Sequence, residues 1–318
     1  MDNQKKLYYL AKPYYGGWVS FTAHLALKYG YKLHKYKSRT EKLKSGELRW
    51  RPFGYGVKYN NSCIVPNWEK NTDNYLITAI DKHHYQYLIR FPHFRTSIVI
   101  HDPTEIKKEL LPWLKIFKVI TIRKSVQKLL KDKYNIDSEY KCHPFAYKEF
   151  MSHKPIVASK SVLYPGKFVS LARIDWDKHT TILLKANTLI KHSEIINLYG
   201  AKNDLYLFHK IRKNDGLGPA FDEAYHGKFT KSFKDVWAIL SGAMIMFDMS
   251  KIKNDGEGSQ YTFLESMAAE VPICINEHWI IDKENTVWKD KETCFIVKTA
   301  EDVCDLCSVA DVFETKPL

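Results

Sequence analysis

Short apolar runs alternate with amphipathic stretches along the whole chain. Leu7 to Lys12 reads as a buried strand closed by Pro13, and Trp18 to Tyr29 as a helix stopped by Gly30. Tyr31 to Tyr36, Tyr75 to Ile80, Ser97 to Ile100 and Lys118 to Ile122 are further strands, the last feeding a helix from Ser125 to Tyr134. The stretch from Phe150 to Pro165 has little periodicity, two prolines and clustered Ser and Lys, which marks an interdomain connection. The rhythm then resumes, with strands at Phe168 to Ala172, Ile195 to Tyr199, Ala243 to Asp248 and Ile273 to Ile275. Helices are expected at Thr180 to Lys191, Asp204 to Lys213, Phe233 to Leu240 and Tyr261 to Ala269. Repeated β–α units favour parallel sheets covered on both faces. The pattern therefore predicts an α/β protein of two Rossmann-like domains, residues 1–150 and 151–318, facing each other across a cleft at the carboxyl ends of the strands. There is no repeat at solenoid spacing and no low-complexity tract.

Composition narrows the class. Of 318 residues, 45% are hydrophobic and 27% charged, a globular balance with ample core for two domains. No apolar run approaches the roughly 18 residues that span a bilayer. The chain runs from Met1 almost directly into a strand, without the apolar core of a signal peptide, so a cytoplasmic location is expected, the host cytoplasm if the protein is viral. Cys304 and Cys307 form one Cys-x-x-Cys, but no second pair or nearby histidine completes a zinc site, so the six cysteines are expected to be free thiols and no metal is implied. The net charge of +13 is unevenly shared. Residues 1–150 hold 28 Lys and Arg against 13 Asp and Glu, whereas residues 151–318 hold 21 against 23. Such asymmetry suggests that the first half meets a polyanion or an anionic membrane.

The most informative stretch runs Asp255-Gly256-Glu257-Gly258-Ser259-Gln260-Tyr261-Thr262-Phe263-Leu264-Glu265-Ser266-Met267-Ala268-Ala269-Glu270-Val271-Pro272. It places one glutamate in a glycine-flanked loop and a second at the start of an apolar helix, where free N–H groups favour bound anions. It resembles the donor-site signature of retaining nucleotide-sugar glycosyltransferases of the GT-B fold, particularly glycosyltransferase family 4. That resemblance implies that Glu265 holds the ribose hydroxyls and Glu257 contacts the donor sugar, with Gly258, Tyr261 and Thr262 close to sugar and phosphates. Arg173 and Lys178, an Arg-x4-Lys pair between a strand and a helix, would by the same resemblance bind the donor phosphates and stabilise the leaving group. Asp175-Trp176-Asp177 lies inside that turn, where aspartates cap a helix more simply than they bind metal.

Gly16-Gly17 matches the family's glycine-rich first loop, where the backbone approaches the ligand. Gly200, after Tyr199, and more loosely His226-Gly227, match strand ends that border the nucleotide base. His101-Asp102 resembles the His-Asp pair of phage α-glucosyltransferases that modify hydroxymethylated DNA bases. Asp102 would orient the acceptor hydroxyl or take its proton, and His101 would contact the donor sugar. Two departures stand out: the chain is short for the family, and the tail after Lys298 is brief for the long closing helix.

In this fold the amino-terminal domain generally binds the acceptor, and here it carries the positive charge. Lys35, Lys37, Arg39, Arg49 and Arg51, with Lys32, Lys42 and Lys44, interleave with Tyr31, Tyr36, Trp50 and Tyr55, a mixture suited to phosphates and a flipped base. The expected activity is transfer of a sugar, glucose first, from a UDP-sugar to a hydroxymethylated pyrimidine in double-stranded DNA, with retention and no required cofactor. One alternative is a transferase of surface polysaccharide or glycolipid acting on a lipid acceptor at the cytosolic membrane face. Another is a non-catalytic nucleic-acid-binding module.

Overall fold

The structure is a computed structural model that describes residues 5–13, 16–35, 40–42, 45–50, 52–60, 74–155, 166–190, 195–229, 232–251, 260–280 and 287–313. The chain divides into two compact units, Met1–Glu149 and Phe150–Leu318.

In the first unit the strands are β1 (Lys5–Leu10), β2 (Lys32–Lys35), β3 (Thr40–Lys42), β4 (Leu48–Trp50), β5 (Tyr59–Asn60), β6 (Asn74–Ile80), β7 (Thr96–Ile100), β8 (Lys118–Thr121) and β9 (Ser138–Tyr140). The helices are α1 (Gly17–Tyr29), α2 (Leu111–Leu114) and α3 (Lys124–Tyr134), with α4 (Tyr147–Met151) at the boundary. Seven of these strands form one parallel sheet in the order β5-β2-β1-β6-β7-β8-β9. Leu7 to Leu10 are buried without alternation, the mark of a strand covered on both faces. On one face Tyr8, Ile77, Ile98, Val119, Val126 and Leu130 pack together. Helix α1 starts after Gly16, whose φ of 99° admits glycine readily, and ends at the left-handed Gly30. The chain order reverses between β1 and β6, so the loops after these strands flank the switch point.

The second unit contains β10 (Phe168–Leu171), β11 (Ile196–Tyr199), β12 (Ile245–Asp248), β13 (Ile273–Asn276) and β14 (Phe295–Val297). They form a parallel sheet in the order β11-β10-β12-β13-β14. Its helices are α5 (Thr180–Leu189), α6 (Asp204–Tyr206), α7 (Gly218–Ala224), α8 (Phe233–Leu240), α9 (Tyr261–Ala268) and α10 (Ala300–Phe313). Leu183, Leu184 and Ala186 of α5 share a core with Phe168, Leu198, Phe247 and, from α10, Val303, Cys307 and Ala310. No helix among the described residues is long and apolar enough to cross a membrane.

Several elements depart from the sequence expectation. The segment expected to be one helix from Asp204 to Lys213 is α6 followed by a π-helix, Leu207–Asn214. The basic segment after β2 contains the antiparallel pair β3–β4, in which Glu41 lies opposite Arg49. The tail after Lys298, expected to be too brief for the long closing helix, forms the 14-residue α10, which packs on α5 within the second unit.

Gly200 ends β11 against the end of β10: a Cβ there would lie 1.9 Å from the Ala172 carbonyl oxygen. Backbone on both sides leaves no flexible group to yield. Gly200→Ala should therefore cost about 1–3 kcal/mol or more of stability, whereas Gly242→Ala, with no neighbour within 4 Å, should be nearly neutral. Chemical denaturation of the two variants checks the difference.

Candidate active site

In the second sheet the switch point lies between β10 and β12, and the loops after these strands carry a polar cluster. Leaving β10, Asp175 caps a 3-10 turn, Trp176–Lys178; its Oδ1 accepts from the Trp176 amide at 2.8 Å and from Asn203 Nδ2 at 2.9 Å. His179 follows with a left-handed φ of 44°, and α5 begins. Lys178 Nζ donates to Ser250 Oγ at 2.8 Å and to Gln260 Oε1 at 3.0 Å. The Lys251 amide donates to the Asp177 carbonyl at 3.1 Å, pinning the β12 loop to the turn.

Ser250 sits at the centre of this arrangement. Its hydroxyl donates to Asp248 Oδ1 and accepts from Lys178 and from Gln260 Nε2 at 3.1 Å. Asp248 Oδ1 also takes the Ser250 amide at 2.8 Å, while its buried Oδ2 has no partner among the described residues. Lys178 is thus held by neutral oxygens, and no carboxylate pairs with it among the described residues. An ammonium has three donors, and two are used here. Gln260 immediately precedes α9, whose start has no side-chain cap, so the helix adds partial positive charge beside the ammonium. An ammonium with a donor to spare among the described residues, beside a helix start at a switch point, suits an anion.

The other expected donor residues lie as follows. Arg173 reaches Asp175 at 2.9 Å and Asp177 at 3.1 Å, so its charge is balanced by the two acids of its own turn rather than held beside Lys178. Tyr261 and Thr262 open α9, next to Gln260, and the buried Thr262 Oγ1 has no partner among the described residues. Glu265 is buried but is the fifth residue of α9, not its head, because the helix begins at Tyr261. Burial and the charge of Glu265 push the Tyr261 phenol well above its ordinary value. Gly200 and Gly227 are brought together, the Gly200 amide donating to the Gly227 carbonyl at 2.9 Å, and Tyr199 stacks on His226 at 5.2 Å. Glu257 and Gly258 lie outside the described residues. Among the described residues no group of acids, histidines and cysteines has the arrangement of a metal site.

In the first unit, His101 and Asp102 close β7. The His101 ring is buried against Phe21, centroids 4.7 Å apart, and its Nε2 donates to the Thr78 carbonyl at 2.7 Å. Burial pushes its pKa down to about 3, so the ring is neutral. With Nε2 donating, Nδ1 is the unprotonated nitrogen. Asp102 is partly exposed; its Oδ1 caps the following turn through the Thr104 amide at 2.8 Å, and Arg123 Nη1 lies 3.4 Å from Oδ2. Glu105 ends that turn, buried, with Oε1 2.6 Å from Trp18 Nε1 and Oε2 3.0 Å from the His101 amide. Burial lifts its pKa to about 8. Gly16 and Gly17 lead into Trp18, and a Cβ on either would meet open space.

Among the expected acceptor cations, Lys35 needs correction. It is fully buried, its Nζ donating to the Ala11 carbonyl at 2.8 Å and lying 4.6 Å from the Tyr9 ring centroid. The reason is register: β2 alternates, placing Leu33 and Lys35 on its covered side and Lys32 outward. Lys35 therefore ties β2 to the end of β1 and offers no surface charge. Lys37, Arg39 and Arg51 lie outside the described residues, and Arg49 is placed only as a backbone position in β4. Sequence reasoning missed Asp248, Ser250, Gln260 and Glu105. The first two end a strand at the switch point, a position that could have signalled them.

No protein-family profile matches the sequence, and no curated protein matches it. Solved structures match nearly all of it. An alpha-glucosyltransferase in complex with UDP and a 13-mer DNA containing an HMU base superposes with a TM-score of 0.65 at 13% identity, covering 98% of this chain and 90% of that one. A glycosyltransferase from Rickettsia africae gives 0.63 at 12% identity, covering 98% and 89%. Anabaena Alr3699/HepE in complex with UDP and glucose gives 0.60 at 11% identity, covering 97% and 90%. These likenesses show the fold: both units belong to the GT-B architecture of glycosyltransferases.

Two buried titratable groups of the first unit, His101 and Glu105, give opposite pH dependences. His101 has a folded value of about 3, below its ordinary 6.5, so stability should fall as pH drops from 6.5 toward 3. Glu105 has a folded value raised from 4.5 to about 8, so its contribution is full below 4.5 and lost as pH rises through 8. Each effect is on the order of a few kcal/mol. Unfolding free energies measured from pH 4 to 9 should decline at both ends, and Glu105→Gln should remove the alkaline decline alone.

Proposed function

We propose that the protein is a retaining glycosyltransferase that moves a hexose, glucose first, from a UDP-sugar to a hydroxymethylated pyrimidine in double-stranded DNA. The observation that carries the donor half is the Lys178 ammonium at the β10–β12 switch point, which no carboxylate pairs with among the described residues, beside the uncapped start of α9. A diphosphate is the ligand chemistry that such a site suits best. The solved structures with UDP or with UDP and glucose support the choice of nucleotide and sugar.

In this reading the acceptor hydroxymethyl oxygen attacks the anomeric carbon, the bond to the β-phosphate oxygen breaks, and UDP leaves. Lys178 and the α9 amides stabilise the negative charge growing on the diphosphate. Arg173 joins them only by exchanging Asp175 and Asp177 for phosphate oxygens. Glu265 holds the ribose and Glu257 the sugar. Asp102, the partly exposed acid of its pair, orients the acceptor hydroxyl or takes its proton. His101, buried and neutral, contributes an uncharged ring to the sugar's surroundings. The excess of Lys and Arg in residues 1–150 supports a polyanionic acceptor. The DNA-bound structural relative supports a modified base as that acceptor.

Lys178→Ala should weaken UDP-glucose binding about 10- to 100-fold, the range expected for loss of a charged hydrogen bond, as read by calorimetry. Unchanged affinity would remove the donor assignment. Incubating the protein with UDP-glucose and DNA with or without 5-hydroxymethylcytosine, then weighing the nucleosides, should show a hexose added only to the modified base. Hexose transfer to a lipid acceptor with none to DNA would overturn the choice of acceptor.

A further inference from the structure

Glu105 is a buried carboxylate that the proposed reaction does not use, and it joins three parts of the first unit. Oε1 accepts from the Trp18 indole, in the first turn of α1 directly after Gly16-Gly17. Oε2 accepts from the backbone amide of His101 at the end of β7. Its own amide donates at 3.1 Å to the Asp102 carbonyl, closing the turn that Asp102 caps. The Glu105 side chain therefore ties the residue after the glycine turn to the His101 backbone, while its own backbone amide closes the turn that Asp102 caps.

We propose that Glu105 is a positioning residue for Asp102 and the Gly16-Gly17 turn, and that transfer requires its carboxylate form. The inference rests on the role given above to Asp102. Two N–H groups converge on the two oxygens, an arrangement that suits an ionised acid; a protonated one would turn a donor toward one of them. Loss of either bond would free the turn to rotate, and displacement of an acid by about 1 Å can cost on the order of 100-fold in rate.

The surroundings make the ionisation sensitive. Burial raises the Glu105 pKa to about 8, Asp102 adds to the rise, and Arg123 at the N-cap of α3 opposes it. Tyr85, on the segment after β6, also feels the charge of Glu105. His101 and His143 lie in the same cluster with pKa values of about 3 and about 4, so neither carries charge near neutrality. From α1 the facing group is the uncharged Trp18 indole.

The test has two readouts on the full chain. In the first, the indole N–H resonance of Trp18, assigned with Trp18→Phe, should move with pH about a midpoint near 8 and become independent of pH in Glu105→Gln. An unmoving resonance in the native protein would overturn the inference whether or not turnover is detected. In the second, kcat should rise through the same midpoint, Glu105→Gln should lower kcat tenfold or more with donor KM unchanged, and Glu105→Asp should restore part of it. Full kcat in Glu105→Gln, or equal losses in donor affinity and kcat, would overturn it as well. A titrating Trp18 in a protein that transfers no sugar would instead count against the proposed function alone.

Discussion

Both sheets are parallel and covered on both faces, and that constraint decides where chemistry can happen. A strand such as β10 or β12 buries every residue from one end to the other. A polar side chain in the middle of such a sheet must find its hydrogen bonds within the interior, as Thr78 does with Thr22, whereas a charged one is costly there. Such side chains gather where the strands end and the loops begin. Lys178, Ser250, Asp102 and Glu105 are all within a few residues of a strand's carboxyl end, and the two that are buried, Ser250 and Glu105, have their partners close by.

The same constraint separates cations that look alike in the sequence. Arg173 and Lys178 are five positions apart in one loop, yet among the described residues one pairs with carboxylates and the other with neutral oxygens. The difference comes from the turn between them. Asp175 and Asp177 project toward the guanidinium, while the left-handed residue at 179 marks the point where the chain leaves for α5 with Lys178 on the β12 side. Lys35 shows a third outcome. Its ammonium lies over the Tyr9 ring and donates to a carbonyl just past the end of β1, so this cation serves the interior rather than the surface.

The fold was legible because its signal is repetitive. Apolar runs bounded by Gly, Pro and polar turns mark β1, β6, β7, β10 and β12 closely, and a missed two-residue strand such as β5 does not alter the architecture. The site was legible in part. Local features, such as the Arg-x4-Lys turn and the His-Asp strand end, could be found from neighbouring residues. Contacts between distant segments could not: Ser250 meets Lys178 across 72 positions and Glu105 meets Trp18 across 87. Nor does composition say which lysine of a basic stretch turns inward, since that depends on strand register, which one residue of slippage inverts. The π-helix after α6 was hidden for a similar reason, because its wider turn has no residue signature distinct from an ordinary helix.

Helix α10 has a consequence for how the protein is made. Val303, Cys307 and Ala310 fill the core beside Leu183 and Leu184, so α5 lacks one of its neighbours until they arrive. During synthesis the first unit can close while the second is still emerging from the ribosome, at roughly 5–20 residues per second. The second unit must wait, with apolar α5 surface uncovered, until α10 leaves the exit tunnel. That interval is when a chaperone would find the nascent chain most receptive.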